Sequence, residues 1–199
     1  MTYYFKGAKI LAPLSITSNE PVYDVDTVSL SKQRASQGAQ RWELTFNTAI
    51  SSATEVDMLV GLTTGIATAD TMTMPQLPSV VAANTSSATL VIFADAAADA
   101  SSVTVVSDGI ISRGSFIQFN NHDKIYMVTG DVEAGNVPVS IYPNLRTAVT
   151  TLETLLTSNS TESNVTLSYY SDVSNLRGLT FTDGILSSTG SISLVEALV

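Results

Sequence analysis

The chain has 199 residues, 44% of them apolar and only 14% charged, with 18 acids against 9 bases for a net charge of −9. That length suits one domain, or one domain carrying a small insertion. The absence of cysteine excludes a disulfide framework, Cys-ligated zinc, an iron–sulfur cluster and a thiol nucleophile, and a single histidine excludes a multi-histidine metal site. Polarity comes from 26 Ser and 25 Thr. With Val, Ile and Tyr they predict a mostly β chain, and the thin charge suits a subunit buried against partners.

No apolar run approaches the roughly 18 residues needed to span a bilayer, and Met1–Leu14 lacks the apolar stretch of a signal peptide. No membrane association and a cytoplasmic site of synthesis are expected. Residues 1–41 carry a net +2 and residues 42–199 a net −11. A body this acidic repels a phosphate backbone, so tight nucleic-acid binding is not expected, while a basic segment against an acidic body favours docking between subunits.

In chain order, Tyr3–Ile10 predicts a first strand and Val25–Arg34 an alternating one, with a hairpin turn across Ala35–Gln40. Arg41–Asn47 is the cleanest strand: Trp42, Leu44 and Phe46 point one way, and Arg41, Glu43, Thr45 and Asn47 the other. The Ser52…Glu55 spacing is that of a capping box. It predicts a helix near 52–62 with Ala53, Val56, Leu59, Val60 and Thr63 along its buried stripe and Gly61 and Gly65 limiting its length. Thr71–Ser79 reads as an extended loop, with Met72 and Met74 either a contact patch or a cover over the core. Short strands follow at Ala88–Phe93, Val103–Ser107, Ser115–Phe119, Lys124–Thr129 and Val137–Tyr142, spaced as in a small barrel or sandwich. Thr147–Leu156 fits helix or strand. Asn164–Tyr170, Leu176–Thr182 and Ser191–Leu198 read as closing strands.

No residue set carries catalytic chemistry. His122-Asp123 lies in a turn composition, and adjacent residues seldom build a Ser-His-Asp triad. Asp24/Asp26 and Asp131/Glu133 are paired carboxylates at spacing two, without the convergence that glycosidase or metal chemistry needs. Phosphate-cradling glycine motifs are absent. Catalytic, cofactor and metal sites are all expected to be lacking.

Three stretches resemble a known family. Ser29–Phe46, with Gly38-Ala39-Gln40-Arg41-Trp42-Glu43 at its heart, resembles a hairpin of tail-tip and baseplate proteins of tailed bacteriophages. Gly114–Phe119, Lys124–Thr129 and Ile141–Arg146 are similar to their inserted small β module, and Leu194–Leu198 is similar to their closing strand. Ser115 stands where an acid is common, so that acid's role does not carry over. The resemblance implies a distal-tail or baseplate structural protein of the virion. The implied fold is a tail-tube-like antiparallel β-sandwich or barrel with one short α-helix (residues 1–85 and 146–199) and an inserted small β-barrel-like module (86–145). It further implies a homo-oligomeric ring, expected to be hexameric, that joins the tail tube to the hub and peripheral baseplate proteins and meets DNA only as passing cargo. On this reading Trp42, Leu44 and Phe46 fill the core and Lys32, Arg34 and Arg41 meet an acidic neighbour. The alternative is a host-surface or carbohydrate-binding module of a virion, for which Tyr142, Tyr169 and Tyr170 would have to line a shared groove.

Overall fold

A computed structural model describes residues 2–26, 32–36, 38–85, 90–151, 153–157 and 165–198. Among the described residues strands far outnumber helices, so sheets carry the fold. The elements in order are β1 (Tyr4–Phe5), β2 (Ala8–Asn19), β3 (Val22–Asp26), β4 (Lys32–Ser36), β5 (Arg41–Ala49), α1 (Glu55–Thr64), β6 (Asp70–Thr73), α2 (Pro78–Ala83), β7 (Leu90–Ile92), β8 (Ser102–Ser107), β9 (Phe116–Phe119), β10 (Ile125–Val128), β11 (Gly135–Tyr142), β12 (Thr154–Thr157), β13 (Thr166–Ser171), a 3-10 turn (Val173–Gly178), β14 (Thr180–Thr182), β15 (Ile185–Ser188) and β16 (Ile192–Glu196).

The main sheet has the order β1-β2-β5-β16-β13-β6, every pairing antiparallel. Strand β5 lies in its middle, and its alternation decides the faces: Trp42, Leu44 and Phe46 are buried, while Arg41 and Asn47 are exposed. Phe46 packs edge-on to Phe5 with ring centroids 5.4 Å apart, and Met58 and Leu62 of α1 close over the same core.

Between α2 and β13 the chain forms a closed six-stranded barrel, β10-β11-β8-β7-β12-β9. The barrel strands run from Leu90 to Thr157, past position 145 where the sequence reading ended the module. Thr154–Thr157, which overlaps the end of the segment Thr147–Leu156 that fitted helix or strand, is the strand that closes it by pairing with both β7 and β9.

Strands β9 and β10 show why the barrel is fused to the sheet. Side chains alternate across a strand, and here both faces are dry. Ile117, Phe119, Tyr126 and Val128 fill the barrel, whereas Phe116 and Ile125 belong to the core of the main sheet, with Met127 packed against it. A strand with one wet face cannot carry the run Phe-Ile-Gln-Phe, all four of which are buried.

The structure departs from the sequence reading in several places. Tyr3–Ile10 is broken by a turn at Lys6-Gly7, and Leu176–Thr182 is strand only from Thr180, its first residues lying in the 3-10 turn. Ala35–Gln40 is not the hairpin turn. Val25–Arg34 is not one strand either: Lys32–Ser36 pairs with Val22–Asp26, so β3 with β4 continues the β2–β5 pairing as one long hairpin, and residues 27–31 lie outside the described residues. The Ser52…Glu55 capping box does not form. The N-cap is Thr54, without a side-chain cap bond, and Glu55 Oε2 instead accepts from the Leu186 backbone N–H at 3.1 Å. The buried stripe of α1 is not Val56, Leu59, Val60 and Thr63, which are all exposed, but Met58, Gly61 and Leu62, continued by Gly65. Ala53 lies before the helix. The glycines make that face close-packing: a Cβ on Gly65 would meet Ser171 Oγ at 2.6 Å, and one on Gly61 would meet the Lys6 side chain at 2.8 Å. Finally, Thr71–Ser79 is not simply loop. It contains most of edge strand β6 and the start of α2, and Met72 and Met74 are core residues.

Candidate functional site

The long hairpin has two parts with different surroundings. Its base, β2 with β5, is built into the main sheet. Among the described residues its outer part, β3 with β4, pairs with no other strand, and all five β3 residues are exposed. In β3, Tyr23 and Val25 lie on one face and Asp24 and Asp26 on the other, by simple alternation. In register, Asp26 stands opposite Lys32 and Asp24 opposite Arg34. We call this two-stranded projection the arm.

The three basic interface candidates lie on or beside it. Lys32 Nζ is 3.7 Å from Asp24 Oδ2, and Arg41 Nε is 3.5 Å from Glu43 Oε1, both as exposed pairs. Arg34 has its backbone in β4, and its side chain lies outside the described residues. Pairs of this kind contribute about 0–1 kcal/mol, because solvent screens them and both side chains lose freedom. They exchange for intermolecular partners at little cost.

At the base of the arm lies a buried polar cluster that joins the hairpin, the barrel and the last strand. Lys124 Nζ donates to Glu196 Oε2 and to Gln40 Oε1, each at 2.5 Å. The second oxygen of Glu196 accepts from the Ile125 N–H at 3.0 Å, and Oε2 also accepts from the Trp42 N–H at 2.9 Å. The Trp42 indole N–H donates to the Ile125 carbonyl at 2.9 Å, and its ring meets Phe116 edge-on at 5.2 Å. The Lys124 and Glu196 side chains are 3% and 0% exposed, so water compensates neither charge. Burial pushes the Lys124 amine below its ordinary value, and the Glu196 charge beside it opposes that. Sequence reasoning singled out Trp42 and missed the rest. The available signal was an acid inside an otherwise apolar strand, Leu194-Val195-Glu196-Ala197-Leu198.

A second polar junction connects the barrel to the other side of the sheet. Gln118 of β9 donates to the Asp123 carbonyl at 3.1 Å and accepts from the Thr166 N–H at 3.0 Å. Beside it opens a cleft of about 190 Å³ lined by polar groups including Thr71, His122, Asp123 and Ser168. His122 stacks on Phe119. Its Nε2 lies 2.8 Å from the Tyr126 hydroxyl and its Nδ1 2.6 Å from Asn121 Oδ1. Asn121 Nδ2 donates to the Ala148 carbonyl, which fixes the amide orientation and makes Oδ1 an acceptor. Nδ1 therefore carries the proton, and Nε2 accepts from Tyr126. Burial, first, and the Arg146 and Lys124 charges hold the His122 imidazole below its ordinary value, against Glu153 and Asp123. Both ring nitrogens are thus occupied, neither by a serine nor by Asp123.

The paired carboxylates do not converge. Asp24 and Asp26 belong to the arm, and Asp131 Oδ1 caps the Arg113 N–H at 2.9 Å. Among the described residues no group of three His, Asp or Glu side chains could hold a metal ion, and no helix is long and apolar enough to cross a membrane. The three tyrosines of the carbohydrate alternative do not share a groove. Tyr169 is fully buried against Phe5, Tyr170 faces out, and Tyr142 bonds Ser18 and Glu20 through its hydroxyl.

No protein-family model matches the sequence, and a search of curated proteins finds no match.

Proposed function

We propose that this chain is a structural subunit of a tailed-bacteriophage tail tip or baseplate, assembling with copies of itself into a ring that joins the tail tube to the hub and peripheral proteins. The observation that carries the reading is the arm. An isolated two-stranded hairpin is marginal in water, and here all five residues of β3 are exposed. A partner that covers the arm supplies the missing burial, and open antiparallel strand edges are suited to such contacts. The resemblance of Ser29–Phe46 to the tail-tip hairpin falls on this same segment and its continuation into β5.

Three further features agree. The barrel is joined to the sheet through two buried polar junctions and a shared apolar wall, which suits a part that transmits load. The net −11 of residues 42–199 repels phosphates, so DNA would pass such a ring without sticking. The low charged fraction leaves surface free for protein contact.

Electron microscopy of the purified protein tests the reading directly. Closed rings, and antibody labelling at the tail tip of virions, are the expected result. Monomers at every concentration, together with label elsewhere on the particle, would sink it.

A further inference from the structure

The ladder of the long hairpin is interrupted between its base and the arm. Pairing runs as far as Asn19 opposite Arg41 and resumes at Val22 opposite Ser36. The outgoing strand crosses the gap with two residues, Glu20 and Pro21, and the returning strand with four, 37–40. Pro21 has no N–H to give to a ladder. Gly38 has φ +71°, the left-handed conformation that side chains resist, and a Cβ on it would meet nothing within 4 Å. Strand pairing therefore does not fix the direction in which the arm leaves the sheet.

Side chains fix it instead. Lys124 Nζ donates to Gln40 Oε1 at 2.5 Å, and the Gln40 amide N–H donates onward to Ser18 Oγ at 3.0 Å. The Ser18 hydroxyl lies 2.8 Å from the Tyr142 hydroxyl, which donates to Glu20 Oε2 at 2.7 Å. With the Tyr142 proton directed to Glu20, the Ser18 proton is directed to Tyr142. Every donor thus points the same way, from the ammonium of Lys124 to the carboxylate of Glu20. Only this order satisfies both charged ends, and hydrogen bonds aligned in series polarise one another. Lys124 borders β10 and Tyr142 ends β11, so both belong to the barrel, whereas Glu20 and Gln40 sit at the break in the hairpin, one on each side.

We infer that the arm is a hinged strap: it pivots about Glu20-Pro21 and Gly38-Ala39-Gln40, and this chain of side chains latches it to the barrel. The latch is graded in exposure. Lys124 and Gln40 are buried, whereas the Ser18–Tyr142 bond is open to water. The outer bonds break first, because water replaces them at little cost. The inner ones keep the barrel seated on the sheet. The Tyr142 ring is held independently of its hydroxyl, edge-on to Trp42 with centroids 6.2 Å apart. A contact that takes the Tyr142 hydroxyl frees the arm, and by reciprocity a contact that turns the arm loosens its hold on the barrel.

Distances between spin labels test the latch. The chain has no cysteine, so introduced cysteines are labelled without competition. One full-length pair, Val25→Cys with Val106→Cys, reads arm against barrel. A second, Asn47→Cys with Val106→Cys, reads sheet against barrel. All three positions are exposed. Dilution with unlabelled protein confines the reading to one chain, whether or not copies assemble. Tyr142→Phe keeps the ring and removes the hydroxyl, and Glu20→Ala removes the acceptor at the other side of the bond. Thermal unfolding checks that each variant keeps its fold. Val25 lies four residues beyond Pro21, about 13 Å along a strand, so a pivot of about 25° moves it by roughly 5 Å. The arm–barrel distribution is expected to widen or shift by roughly that amount in each variant, with the sheet–barrel distribution unchanged. An arm–barrel distribution that either variant leaves as it is in the parent overturns the latch. Equal widening of the sheet–barrel pair also overturns it, because the motion would then lie at the seat of the barrel and not at the hinge.

Discussion

Lys124 and Glu196 are 72 positions apart in the chain, yet Nζ and Oε2 stand 2.5 Å from each other with both side chains out of solvent. Lys124 immediately precedes barrel strand β10, and Glu196 ends the central sheet strand β16. The pair is therefore the electrostatic weld between the two cores. Its carboxylate also holds the Ile125 and Trp42 N–H groups, so it fixes the height at which the barrel sits on β5.

Removing one partner leaves the other charge buried and uncompensated, which typically costs about 3–5 kcal/mol. Glu196→Gln and Lys124→Met should each lower thermal stability by an amount in that range. The double variant should lose less than the sum, because no bare charge remains and the Gln oxygen still accepts one of the N–H groups. Calorimetric unfolding of the four proteins checks this. Strictly additive losses would show that the two residues do not act as a pair.

Much of the fold was legible because strand alternation is a local signal. Trp42, Leu44 and Phe46 announce one dry face without reference to anything else, and the short strands between Leu90 and Tyr142 announce a small barrel or sandwich by their spacing, the closure into a barrel being visible only in the structure. What stayed hidden depends on partners distant in sequence. Nothing around Lys32–Ser36 says that Val22–Asp26, not β5, is its partner. The stripe of α1 was misread because Val56, Leu59 and Val60 form a well-spaced apolar row, whereas the real packing face contains two glycines, which register as breaks and not as contacts. The weld was missed for the same reason: a lone Lys and a lone Glu are each unremarkable until the fold brings them together.

The two candidate faces of α1 differ in a way that substitution can measure. Met58 is fully buried and Val56 is 64% exposed. Met58→Ala should cost about 2–5 kcal/mol from lost burial and the cavity left behind. Val56→Ala should change stability by no more than about 0.5 kcal/mol. Denaturant midpoints decide between the faces, and a reversed order would restore the stripe read from the sequence.

Gly65 makes a second, sharper case. A Cβ there would come within 2.6 Å of Ser171 Oγ and 3.0 Å of the Gly61 carbonyl oxygen. Overpacking of this kind typically costs about 1–3 kcal/mol. Gly65→Ala should therefore destabilise even though alanine is the better helix former. Ser171→Ala removes the nearer obstacle, so the double variant should recover part of the loss. Recovery in a chemical melt would locate the strain at that contact, and none would assign it to the Gly61 carbonyl.

The last expectation concerns pH. The His122 imidazole, with Nδ1–H bonded to Asn121 and Nε2 accepting from Tyr126, is held in its neutral form, and its value lies below the ordinary one chiefly through burial. An unfolded chain has a histidine near about 6.5. Below that pH the unfolded state takes up a proton that the folded state resists, so the unfolded state binds more protons and stability falls as pH drops. The contribution is complete above about 6.5 and is lost progressively on acidification towards the folded value. A second consequence follows at the alkaline end. Burial pushes the Tyr126 phenol up to about 12, so between about 10, the ordinary value for an exposed tyrosine, and about 12 the unfolded state loses a proton that the folded state keeps, and stability falls as pH rises. His122→Gln should flatten the acidic limb and leave the alkaline one, while Tyr126→Phe should make the alkaline limb shallower, the rest being kept by Tyr169, Tyr142 and Tyr3, whose phenols burial also pushes up, and, by depriving Nε2 of its donor, also raise the histidine's affinity for a proton. Melting temperatures followed from pH 5 to pH 11 for the wild type and both variants separate the two limbs. An acidic limb unchanged in His122→Gln would mean that the carboxylates, and not this imidazole, set it.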